Sequence, residues 1–251
     1  MANVNKDSFI DVHTHVVPRN IPSNPITDNF NRWPQMRCGE CGHRTVYHGD
    51  TAFRTVGSNA WDVTKRIEEM DFQGIGMQVL SPMPELLGYW LDPRQTEVLV
   101  DHVNATIAEM VASSPGRFSG FGMVTLQDPK RAVREVERLS KVFGLAGIEV
   151  GSHVNGVPIG DRRFDEFYAA AADNGLAIFV HALHPPKDRI VGPPLMEPLV
   201  AFPQELALAG TSLMLGQVLE RNPGLRLCLS HGGGTLPWVS GRIHNGRELS
   251  E

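Results

Sequence analysis

Six short apolar runs, each followed by a stretch with helical spacing, constrain the fold of this chain more than anything else in it. The runs are Phe9 to Val12, Ile75 to Leu80, Phe118 to Leu126, Gly147 to Val150, Leu176 to Val180 and Leu225 to Leu229. Helical spacing links Val63, Ile67 and Met70; Leu99, Val103, Ile107 and Val111; Val133, Val136, Leu139 and Val142; and Phe164, Phe167, Tyr168 and Ala171. Asp128-Pro129 supplies an N-cap and a proline for the first helical turn, whereas Gly144, Asn174-Gly175 and Asn222-Pro223-Gly224 stop helices. Strands this continuously apolar are covered on both faces and pair in parallel, and repeated β-α units leave a barrel or a doubly wound sheet. Candidate catalytic residues end several different strands, and no glycine fingerprint follows the first. Both features select an α/β fold of the TIM-type (β/α) barrel kind.

The 251 residues, 41% hydrophobic and 20% charged, suit one such domain spanning 1-251. A net charge of −5 gives no general attraction to nucleic acid or to an anionic membrane, so small molecules are the expected partners. No run nears the ~20 apolar residues that span a bilayer, and the N-terminal MANVNKDSFIDV has no basic region before a long apolar one. A cytoplasmic protein is expected. Three cysteines are too few for a secreted disulfide framework, and Cys228 falls within an apolar run, where it reads as packing. Residues 16-59, rich in Pro, Asn, Gly and Arg, read as a long loop insertion of the kind that forms lids. Within it Cys38, Cys41, His43 and His48 look like half a zinc ribbon. The second cysteine pair is absent, which makes a flexible flap the simpler reading.

The chemistry concentrates in histidines. Asp11-Val12-His13-Thr14-His15 ends the first run, and strand alternation turns His13 and His15 to one face. His181 ends the fifth run and His231 the sixth. Strand ends of one barrel meet at one mouth, so four imidazoles are expected to converge there. Neutral imidazole nitrogens suit Zn2+, and three of them leave a position open for water, whose pKa drops from about 15.7 to about 7 on binding. His153, after the fourth run, reads as a loop organiser rather than a ligand, and His102, His184 and His244 receive no role.

The blocks DVHTHVVP, FRTVGSNAWDVTKRIEEMDFQGIGMQVLSPMP, RFSGFGMVTLQDPKRAVREVERL, GIEVGSHVNGVPI and LSHGGGTLPWVSGRIHNG resemble successive blocks of the aminocarboxymuconate semialdehyde decarboxylase family, in the amidohydrolase superfamily. The resemblance runs from residue 7 to residue 246. It implies that His13, His15 and His181 hold a catalytic metal, zinc or another divalent transition metal, and that His231 is the base acting on metal-bound water. It also implies that Arg54 and Arg242 hold a substrate carboxylate, Arg242 across a homodimer interface; the planar guanidinium fork suits that task. The implied activity is zinc-dependent, non-oxidative decarboxylation of an unsaturated or aromatic carboxylic acid. Two other readings stand beside it: a hydrolase or hydratase of a related ring-cleavage product, using the same site, and a non-catalytic fragment that binds a partner through open barrel edges.

Relatives close the barrel with a seventh and an eighth strand and place a metal-binding Asp near the last. After Gly246 only Arg247 to Glu251 follow in this chain. A C-terminally truncated barrel is therefore expected, with about six of eight β-α units, no Asp ligand, and open edges at the first and sixth strands.

Overall fold

The computed structural model describes residues 9–26, 32–39 and 42–248. Each of the six apolar runs carries a strand: β1 Phe9–Val16, β2 Ile75–Pro82, β3 Phe118–Gly122, β4 Gly147–Gly151, β5 Ala177–His181 and β6 Arg226–Leu229. Each pairs in parallel with the next in chain order. Helices α1 Val63–Gln73, α2 Pro93–Ser113, α3 Pro129–Lys141 and α4 Asp165–Asp173 make the first four crossovers. Helices α5 Phe202–Leu215 and α6 Val218–Arg221 make the fifth, and α7 Leu236–Glu248 follows β6. The result is the TIM-type arrangement, carried through six strands.

Local sequence explains why the helices start where they do. Asp62 accepts the Lys65 amide at 3.1 Å, Asp92 the Arg94 amide at 2.8 Å and Asp128 the Arg131 amide at 3.2 Å. Pro93 and Pro129 occupy the first helical position, where no amide is needed. Each cap is worth about 1 kcal/mol. The core lies between sheet and helices: Leu80, Ile148, Val150, Ile178 and Val180 meet Leu99, Val103, Ile107, Val136, Leu139 and Phe167, all fully buried. Burying each such side chain contributes roughly 1.5–3 kcal/mol.

Four features differ from the sequence reading. The third run leaves the sheet at Gly122 because side chains capture its backbone: Asn104 takes the Met123 amide at 2.9 Å and Glu135 the Thr125 amide at 2.6 Å. The 16-59 insertion is not irregular throughout, since Pro34–Cys38, Arg44–His48 and Thr51–Val56 form a three-stranded antiparallel flap. Its inner side is anchored by Val46 and Trp33, both buried. Helix α5, for which the sequence pattern gave no helical spacing, begins at Phe202 with Pro203 in its first turn, where proline is tolerated. Cys228 is exposed rather than packed. Among the described residues β6 pairs only with β5, and β1 only with β2, so one flank of each is open. Phe9, Ile10 and Val12 are correspondingly 78%, 58% and 44% exposed.

Candidate metal centre

The strand ends bring four histidines together. On β1 the pairing with β2 slips between Asp11 and Thr14, and Asp11 Oδ1 accepts the His13 amide at 3.1 Å. The His13 and His15 rings then stand 5.2 Å apart, edge to face. His181 closes β5, and its ring lies 5.0 Å from those of His13, His15 and His231. His231 sits just past β6 in a turn with left-handed backbone at four consecutive residues, His231 to Gly234. The last of these has to be glycine. A Cβ on Gly234 would stand 1.9 Å from the Pro203 carbonyl oxygen.

The ring nitrogens point inward for identifiable reasons. His15 Nδ1 lies 3.0 Å from the Pro82 carbonyl and His181 Nδ1 2.8 Å from the Ala182 carbonyl. A carbonyl only accepts, so each Nδ1 carries the proton and each Nε2 keeps its lone pair. His181 Nε2 faces His13 Nε2 at 3.0 Å. Burial lowers the pKa of all four: His15 to about 4, helped by His13 and Arg54, and His181 to about 2, helped by His15, while His13 and His231 are also lowered. Four neutral imidazoles thus share one space.

This donor set fits a divalent transition metal. One donor atom from each of His13, His181 and His231 lies within 4.8 Å of the others, and no other such group occurs among the described residues. Nitrogens around a tetrahedral ion at about 2.0–2.1 Å sit about 3.4 Å apart, inside that bound. A buried carboxylate stands behind them. Glu149 on β4 is fully buried, and its Oε2 is 3.8 Å from His15 Nδ1. Burial pushes its pKa well above the usual range.

A cavity of about 410 Å³ opens over the histidines. The flap contributes Phe53 and Arg54, the turn after β2 contributes Met83 and Glu85, and the loop after β5 contributes His184 and Lys187. Phe202, heading α5, closes one side with its ring 5.8 Å from His231. A larger cleft of about 610 Å³ between Pro185, Ile190 and α5 has no histidine or arginine among the described residues of its wall, whereas four histidines and Arg54 line the smaller space.

Of the sequence candidates, His13, His15, His181, His231 and Arg54 meet at this cavity. Arg242 does not; it is exposed on α7, away from the cavity wall. His153 organises its own loop, accepting the Gly156 amide on Nδ1 at 3.1 Å. His102 Nε2 ties to the Asn20 carbonyl at 2.7 Å. Cys41 lies outside the described residues, Cys38 is an exposed free thiol, and His48 faces Glu85 instead. Sequence reasoning missed Glu85, His184 and Glu149. Only Glu149 had a visible signal, a lone carboxylate inside an apolar run.

Comparison with known proteins agrees with the architecture. A sequence profile of the family described as Amidohydrolase matches residues 10–248. The 2-amino-3-carboxymuconate-6-semialdehyde decarboxylase of Dictyostelium discoideum is 35% identical over 241 residues, covering 94% of this chain and 66% of that protein. The chain thus spans slightly less than two thirds of that relative's length. The apo structure of Metarhizium anisopliae IDCase superposes with a TM-score of 0.80 at 22% identity, over 96% of this chain and 70% of that one. The 5-carboxyvanillate decarboxylase of Novosphingobium aromaticivorans, crystallised with manganese and 4-hydroxy-3-methoxy-5-nitrobenzoic acid, gives 0.67 at 25% identity, over 75% and 55%.

Proposed function

The chain belongs to the amidohydrolase family, and from that premise we propose that it is a metal-dependent, non-oxidative carboxy-lyase acting on an unsaturated or aromatic carboxylic acid. The observation that carries the reading is the convergence of four neutral imidazoles, with Arg54, on one cavity. His13, His15 and His181 are the proposed holders of the ion. A nitrogen donor set favours zinc, and manganese in a relative's structure keeps other divalent metals in play. When bound, the ion supplies Lewis acidity that stabilises negative charge developing on the substrate.

The protein's own groups do the rest. Arg54 presents two parallel N–H donors to a carboxylate and fixes which end of the acid enters. Phe53 and Phe202 give a flat unsaturated acid apolar walls and displace water. His231, with Nδ1 2.7 Å from Ser230 Oγ, holds a proton for transfer. The bond from the substrate carbon to the carboxylate carbon breaks, its electron pair stays on the substrate carbon, and carbon dioxide leaves. A proton delivered by His231, and replaced from solvent, forms the new C–H bond.

A second reading of His231 has a specific observation behind it. Its donor atom lies in the same close group as those of His13 and His181, whereas that of His15 does not, which suits His231 as a ligand. We further propose that the protein is a cytoplasmic homodimer. Trp238, 89% exposed, and Arg242 stand one helical turn apart on α7, a pairing suited to a protein contact. The activity is tested by incubating the zinc-loaded chain with 2-hydroxy and 2-amino unsaturated or aromatic acids. Carbon dioxide release that stops on chelation is expected; uptake of water with no carbon dioxide would favour the hydratase or hydrolase reading.

A further inference from the structure

Above the four histidines, a second group of side chains joins three segments that share no sheet pairing. His184, in the loop after β5, places Nε2 3.1 and 3.0 Å from the two oxygens of Glu85. His48, the last residue of the second flap strand, brings Nε2 to 3.5 Å from Glu85 Oε1. Glu85 itself lies in the short turn Pro84–Leu87 after β2. The side chains of Glu85 and His48 are only 13% and 15% exposed, and their 3.5 Å approach is a close contact without hydrogen-bond geometry. His48 Nδ1 faces the Arg32 carbonyl at 3.1 Å, so both of its ring nitrogens look at acceptors. Trp90 covers the group, 4.8 Å from the His184 ring and 5.9 Å from that of His48.

The flap carries this contact into the cavity. His48 pairs with Thr51 across a two-residue turn, and the register slips between the pairs Tyr47 with Ala52 and Val46 with Arg54. Phe53 is therefore an extra, bulged residue. Neighbours on a regular strand face opposite sides, yet Phe53 and Arg54 both line the cavity, which the bulge permits. The Phe53 ring rests 5.7 Å from that of His48. One carboxylate on the barrel thus lies against His48, which in turn touches Phe53 beside the bulge that turns Arg54 to the cavity.

We infer that Glu85 is a positioning residue of this pocket: by holding His48 of the flap and His184 of the barrel, it seats the flap so that Arg54 and Phe53 face the histidine cluster. The ligand is a carboxylate on the function proposed above, whereas the seating itself does not rest on that function. Two readouts on the full zinc-loaded chain test it. Hydrogen exchange across residues 44 to 56 should quicken about tenfold in Glu85→Ala and by less in Glu85→Gln, with α2 unchanged. Binding of 4-hydroxy-3-methoxy-5-nitrobenzoate should weaken about tenfold in Glu85→Gln at unchanged metal content, and by under about twofold more when Glu85→Gln is added to Arg54→Lys. Unchanged flap exchange in Glu85→Gln, or losses that simply multiply in the double variant, would overturn the inference. If Glu85→Ala does not fold, the isosteric Gln variant decides. If the unaltered chain fails to bind the probe, the proposed function is at fault, and flap exchange still decides the seating.

Discussion

His13, His15, His181 and His231 are kept neutral by burial, and all but His13 also by a neighbouring histidine, and this fixes how protons act on the metal-free protein. A histidine with a lowered folded pKa binds its proton more readily when unfolded, so stability falls as pH drops below the unfolded value of about 6.5. For His15 the loss accumulates down to about pH 4 and reaches about 3 kcal/mol. Denaturant titrations of the apo chain between pH 7 and pH 4 should show this decline, and His15→Gln should flatten it; a curve flat in both proteins would contradict the buried neutral cluster. Alanine at single positions separates ligand from base. His15→Ala should lose metal while His231→Ala keeps it and loses turnover; the reverse pattern in metal content would make His231 the ligand. The four histidines were legible because a strand fixes side-chain direction, so spacing alone places His13 beside His15. Glu85 and His184 were not legible, since 99 residues separate them and neither belongs to a periodic pattern.

At the scale of elements, the turn after β6 ties folding to the site. Gly234 has φ +60° and packs on the Pro203 carbonyl, so Gly234→Ala must shift either the turn that carries His231 or the head of α5. A loss of about 2 kcal/mol, read as a melting temperature lower by about 5 °C, and reduced metal affinity are expected. An unaltered melting temperature would mean that the turn yields freely. Strands and amphipathic helices of the barrel were readable because burial imposes a period on them. The flap strands were not, because Thr51 to Thr55 are exposed throughout and pair by backbone bonds that leave no apolar alternation. Helix α5 escaped for the opposite reason: Phe202 to Leu215 is apolar on nearly every side, with Leu208 and Leu215 exposed, so no polar face marks its period.

For the whole molecule, one flank of β1 has no partner strand among the described residues. Phe9, Ile10 and Val12 present apolar side chains beside unpaired backbone, a template for association. Sedimentation should show concentration-dependent association that Ile10→Lys weakens, while a dimer through α7 responds instead to Trp238→Ala; association untouched by either change would place the contact elsewhere. The parallel order and the mouth of the barrel followed from the sequence, because β-α alternation permits few topologies. Which surface meets a partner did not, since that depends on exposed side chains from separate elements. The central claim is that one ion is shared by imidazoles brought together from β1 and β5. Metal content after dialysis against zinc tests it most directly: about one ion per chain for the unaltered protein and almost none for the His13→Ala, His181→Ala double variant. Equal uptake by both would contradict it.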